Sequence, residues 1–151
     1  MAIGNTHQWA FLPGDKFFFG QGFKAKNIGT ETVPKGHNVV FRYLAADTND
    51  TYIHVREEAA AVTDTKRRVA GMVFGADIEP GGTGVVCTFG RVQTLLVTGT
   101  CSIGSYLRLS GTKAGAACQA ATASRFCFAI ARAAHSGTAS GIEALIVPWR
   151  I

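Results

Sequence analysis

The sequence predicts an all-β domain: a compact β-sandwich or β-tulip-like body of short strands with an extended N-terminal arm. Three observations predict it. Between residues 67 and 110, short apolar runs alternate with glycine-bearing turns. Charged residues make up only 17% of the chain against 18 glycines and 4 prolines, a balance that suits short strands and tight turns. Hydrophobic residues reach 47% of 151 residues, enough to bury a real core within one domain.

Residues 1–36 differ from the rest and predict the arm. Trp9, Phe11, Phe17, Phe18, Phe19 and Phe23 fall among Pro13, Gly14, Gly20 and Gly22, with Lys16, Lys24 and Lys26 interleaved. Neither helical nor strand periodicity stands out. Two readings stay open: an arm that folds back and plugs its own core, or one that docks aromatic anchors on another subunit or protein. Residues 37–151 then form the β domain.

Within that domain, residues 38–44 (NVVFRYL) and 51–56 (TYIHVR) bracket the polar turn Ala46-Asp47-Thr48-Asn49-Asp50, a hairpin signature. In the second strand Ile53 and Val55 face inward and Tyr52, His54 and Arg56 face water. Residues 57–62 could add one helical turn, too short to stand alone. Strands follow at 69–74, 84–88, 91–97 and 106–109. Gly81, Gly82, Gly84, Gly90, Gly99 and Gly104 divide them. In 91–97, alternation puts Arg91, Gln93, Leu95 and Val97 on one face and Val92, Thr94 and Leu96 on the other. Alanine-rich residues 114–123 read as a short strand and loop despite their helix propensity. Residues 126–133 form a strand with Phe126, Phe128 and Ile130 on one face. Cys127, Ala129, Ala131 and Ala133 form the other, small enough for another sheet or subunit to approach. Residues 142–147 form the last strand, before the apolar tail Pro148-Trp149-Arg150-Ile151. A faint internal echo links Val69-Ala70-Gly71-Met72-Val73 to Phe128-Ala129-Ile130-Ala131, each a small-residue strand followed by a glycine-bearing turn and another strand.

The formal charge of +5 is uneven: residues 1–36 carry four lysines and two acids, 37–83 five basic and seven acidic residues, and 84–151 six basic and one acidic. The basic residues of the last part are dispersed, which solvates strand faces and makes no nucleic-acid footprint. Residues 1–12 show no signal-peptide pattern, and no stretch approaches the roughly 20 apolar residues of a membrane helix. Cys87, Cys101, Cys118 and Cys127 lack metal-finger or C-x-x-C spacing and read as reduced, mostly buried thiols of a protein made in a cytoplasm.

No catalytic constellation emerges. His7, His37, His54 and His135 have no neighbour at metal-ligand spacing, and Ser102, Ser105 and Ser110 sit in no G-x-S-x-G elbow. Gly81-Gly82-Thr83-Gly84 lacks the Lys-Ser/Thr and the helix of a phosphate loop, and Asp77 and Glu79 beside it repel anions. The reading is therefore non-enzymatic, without cofactor or metal. A single-stranded nucleic-acid binder is the alternative, with Phe41, Tyr43 and Tyr52 as a stacking platform on a basic protein. Phe41 and Tyr43 share a core-like face with Val39, however, and the charge is modest.

Residues 69–147 carry a longer pattern: V-A-G-M-V-F-G-A-D-I-E-P-G-G-T-G-V-V-C-T-F-G-R-V, then L-V-T-G-T-C-S-I-G-S-Y-L-R-L-S-G-T-K-A-G, then F-A-I-A-R-A-A-H-S-G and a closing strand. This resembles the small phage head proteins that decorate or cement capsids, part of which carry a recombinase-like label. The resemblance implies homotrimers on the virion surface, at three-fold and quasi-three-fold positions, that clamp neighbouring major capsid protein subunits. It implies no active site, membrane or nucleic-acid partner. Residues 1–66 depart from the pattern. Trp9, Phe11, Phe17, Phe18, Phe19, Phe23, Lys24 and Trp149 are accordingly the candidate contacts to capsid or subunit.

Overall fold

The computed structural model describes residues 20–42, 52–58, 69–120 and 127–147. These residues form nine strands and no helix: β1 Gly20–Asn27, β2 Asn38–Phe41, β3 Ile53–Glu57, β4 Val69–Phe74, β5 Thr83–Val97, β6 Tyr106–Leu109, β7 Ala117–Gln119, β8 Cys127–Ala131 and β9 Ser140–Ile146. The all-β expectation holds. The strands make one sheet, ordered β1-β3-β2-β4-β5-β7-β6-β8-β9, with further pairings β1–β5 and β5–β9. Those two pairings close the sheet twice. One ring runs β1-β3-β2-β4-β5 and the other β5-β7-β6-β8-β9, with β5 common to both.

Each ring encloses its own core. Phe23, Ala25, Val33, Val39, Val55, Ala70, Val73, Ile78 and Val86 fill the first. Val92, Leu95, Val97, Leu107, Ala117, Phe128, Ala129, Ala131, Ile142 and Ile146 are among those filling the second. The β4–β5 pair serves both: Val73 and Val86, paired in register, line the first core, while the next pair, Met72 and Cys87, joins the second. Alternating side chains are thus buried on both faces, which accounts for the near-continuous apolar character of these strands. The small face of β8 is buried within its own ring.

The two rings repeat one topology. Pairings β1–β3 and β5–β7 are parallel. The antiparallel pairings β1–β5, β2–β3, β2–β4 and β4–β5 recur as β5–β9, β6–β7, β6–β8 and β8–β9. Even the isolated bridges correspond, Val33 with Ile78 and Cys101 with His135. Hence β5 closes the first unit and opens the second. The echo between the segments at Val69 and Phe128 has a structural basis: β4 and β8 hold equivalent places.

Four readings are corrected. The first concerns β5, a continuous 15-residue strand where two strands divided at Gly90 were expected. Gly90 has φ +123°, a conformation that favours glycine, and pairs with both Gly20 of β1 and Ile146 of β9, so pairing runs through it. Secondly, alternation fails along 91–97. The register slips between Val92 and Leu95, both are fully buried three residues apart, and Gln93 and Thr94 between them are exposed. Thirdly, His54 is buried, not on a wet face: His54 and Val55 point to opposite faces of β3 and both are fully buried, so each face is covered there. Residues 20–36, expected as part of an arm, form β1 and the connection to β2 within the first ring.

The units are pinned together at β2. The backbone N–H and Nδ2 of buried Asn38 both donate to the Gly115 carbonyl, at 2.8 and 2.9 Å, and Nδ2 also lies 3.4 Å from the Leu96 carbonyl. Leu96 N–H donates to the Gly36 carbonyl at 2.8 Å. Gly36, at φ +89°, lies so close to Thr94 that a Cβ would overlap its carbonyl oxygen. His37 Nδ1 meets Glu57 Oε2 at 3.0 Å beside this junction. Truncating Asn38 removes these side-chain hydrogen bonds while the Gly115 carbonyl keeps its backbone N–H donor, a loss of about 0.5–1.5 kcal/mol. Asn38→Ala is therefore expected to lower unfolding free energy by that amount in urea titrations, with the fold retained.

Candidate assembly surface

The sequence-predicted contact residues fall apart in the fold. Phe23 is 6% exposed. Its register opposite Val86 points it into the first core, where its ring stacks on Phe41 at 5.9 Å. It is a core residue, not an external anchor. The same stacking draws Phe41 away from any nucleic-acid platform. Lys24, next along β1, is half-exposed on the outer side, with Nζ 5.6 Å from the Tyr52 ring centroid, a cation–π contact. Trp9, Phe11, Phe17, Phe18, Phe19 and Trp149 lie outside the described residues, as does Tyr43.

Gly20 of β1 and Ile146 of β9 both pair with Gly90. Phe89, adjacent to Gly90, is 41% exposed there. The other exposed large hydrophobics among the described residues are Ile103 at 72%, in the turn between β5 and β6, and Tyr106 at 37%, the first residue of β6. Sequence reasoning passed over Ile103; the available signal was an apolar residue at a Ser-Ile-Gly-Ser turn tip, where a polar residue is ordinary.

The chemistry elsewhere is structural in character. An open groove of about 470 Å³ is lined by Phe74, Gly75, Ala76, Asp77, Thr83, Gly84 and Val85. Its one carboxylate, Asp77, accepts the Lys35 backbone N–H at 2.9 Å. Among the described residues no His, Cys, Asp or Glu cluster has metal-binding geometry. The fold does bring His135 and Ser140 together. Nδ1 lies 2.6 Å from the Gly99 carbonyl, which only accepts, so Nδ1 carries the hydrogen; Nε2 faces Ser140 Oγ at 2.9 Å. The group orienting the imidazole is a neutral carbonyl, without the charge of a triad carboxylate, and the arrangement clamps the β8–β9 turn to the end of β5.

On the outer face of the second ring, Glu143 Oε1 accepts from Arg91 Nε at 2.8 Å and Arg132 Nε at 3.1 Å. The Arg91 hydrogen bond, helped by that of Arg132, holds the carboxyl below its ordinary range. Burial pushes the Cys87 thiol up to about 12 and raises Cys101 as well. All four cysteines are free, and Cys118 is the one not fully buried.

The fold is similar to the crystal structure of the head fiber gp8.5 N base in bacteriophage phi29. The TM-score is 0.52 at 16% identity, over 86% of this chain and 96% of that one. At that identity the likeness is one of fold. No protein-family model matches the chain, and no curated protein does.

Two measurements check the electrostatics and the thiols. A lowered folded-state pKa contributes stability above the unfolded-state value and loses it as pH falls through the folded one. The stability advantage of the native protein over Glu143→Gln should thus be present at pH 7 and vanish well below pH 4.5. With a thiol-specific maleimide, mass spectrometry should show Cys118 labelled first, with Cys87 and Cys101 protected until denaturant is added.

Proposed function

We propose that this chain is a structural component of a phage head. It decorates the capsid exterior as a homotrimer, cements neighbouring major capsid protein subunits, and works by binding, not catalysis. The observation that carries this reading is the fold likeness to a phage head fiber base, spanning nearly all of both chains. The resemblance of residues 69–147 to decoration proteins points the same way. Assembly in the host cytoplasm and residence on the virion surface follow from that role.

The physical division of labour is simple. Two closed rings supply a rigid body. Trp9, Phe11, Phe17, Phe18, Phe19, Trp149 and Lys24 supply the anchoring side chains. Each buried aromatic contributes roughly 1.5–3 kcal/mol, so a few dominate an interface of about 1,600 Å². Repetition over a shell multiplies weak contacts by avidity.

The test is a truncation placed by the fold. Removing residues 1–19 leaves β1 whole, whereas a cut at residue 23 would take Phe23 from the first core. The protein lacking 1–19 is expected to stay soluble and unfold near the native temperature, yet no longer co-sediment with expanded shells of the cognate capsid protein. Undiminished co-sedimentation would remove the arm from the attachment mechanism, and no binding by the full chain would remove the cementing role.

A further inference from the structure

The double ring holds one pair of reactive side chains that its fold does not require. His135 and Ser140 stand where Ile78 and Gly84 stand in the first unit. Ile78 makes the isolated bridge to Val33, as His135 does to Cys101. Gly84 faces Ala25, where β1 meets β3 in parallel, and Ser140 faces Val97, where β5 meets β7 in parallel. Asn27 N–H donates to the Gly82 carbonyl at 3.0 Å and Gly99 N–H to the Gly137 carbonyl at 3.1 Å, which confirms the correspondence. In the first unit the pair is apolar: Ile78 is buried, and a Cβ at Gly84 would overlap its side chain. That unit closes its turn with no polar clamp at this place. In the second unit an imidazole meets a hydroxyl there, and Ser140 is exposed.

The pair has the geometry of an activated nucleophile, a hydroxyl within hydrogen-bond reach of a base that a third group orients. His135 Nδ1 donates to the Gly99 carbonyl at 2.6 Å, so Nε2 is the nitrogen without a hydrogen. It lies 2.9 Å from Ser140 Oγ, placed to receive the hydroxyl proton. Among the described residues, no hydrogen bond uses the backbone N–H of Thr138 or Ala139, the two residues before Ser140. Those donors stay available to an oxyanion forming beside the serine. Access is open, since Thr138, Ser140 and Gly141 are all exposed. The orienting group sets the substrate class. A neutral carbonyl stabilises an imidazolium less than a triad carboxylate does, so the pair suits acyl donors whose leaving group departs as a stable anion.

We propose that Ser140 is a site of covalent acylation by aryl esters, with His135 as the base. Ser140 Oγ bonds to the ester carbonyl carbon while its proton passes to His135 Nε2. The bond from that carbon to the aryl oxygen then breaks, and the phenolate leaves and takes the proton from Nε2. An acyl-serine and a phenol result, with no other reactant consumed. This reactivity lies outside the proposed function, which needs no chemistry.

The test incubates the purified full chain with p-nitrophenyl acetate at neutral pH and maps acetylated serines by mass spectrometry. Ser140 is expected to react about a hundredfold faster than Ser136, an exposed serine in the same turn, the gain a positioned base supplies. Ser140→Ala should remove that label and leave thermal unfolding near native, because the first unit carries glycine at this place. His135→Gln should lower Ser140 labelling by a similar factor. As a readout that keeps His135, the thiol of Ser140→Cys should be alkylated by iodoacetamide faster than that of Ser136→Cys. Labelling of Ser140 no faster than Ser136, labelling undiminished in His135→Gln, or equal alkylation of the two thiols would each overturn the assignment.

Discussion

The structure depends on a single strand hydrogen-bonding in two rings at once. A buried backbone amide or carbonyl left unpaired costs about as much as a lost hydrogen bond, so β5 must find partners along both edges. Its first half lies between β1 and β4; its second half meets β9 and, at Val97, β7. Gly90 sits where the β1 pairing hands over to the β9 pairing, and the bulge between Val92 and Leu95 turns two nearby side chains into the same core. Closing a sheet on itself also removes most of its edges, the usual sites of unwanted strand pairing.

Repeating one topology has freed the two units to differ in surface. Core positions remain apolar in both. The bridge that joins Val33 to Ile78 in the first unit joins Cys101 to His135 in the second, where the imidazole ties together Gly99 and Ser140. The turn that packs on β5 in the first unit faces outward in the second with Ile103 at its tip.

Polar side chains, not only apolar packing, set how the rings sit together. Asn38 and the Gly36 carbonyl join units through main-chain groups, and the Glu143 pair with Arg91 and Arg132 laces β5, β8 and β9 on the outer face. Partly buried pins to backbone carbonyls fix orientation more firmly than solvated ion pairs, which water and salt screen. The relation between the rings therefore rests on β2 more than on the surface charges.

By itself, the amino-acid sequence determined the fold class, the hairpin of β2 and β3, the boundaries of β4 and β6, and the strand nature of β7, because those follow from local alternation and turn residues. It also held the trace of duplication at Val69 and Phe128. Only the tertiary structure decided that two apparent strands are one, that Phe23 and His54 are buried, and that Ile103 stands exposed. Those outcomes depend on which distant segments pair with or cover each strand, as where Gly20 and Ile146 both meet Gly90. Such pairings are energetic choices of the whole sheet, and no window of neighbouring residues encodes them.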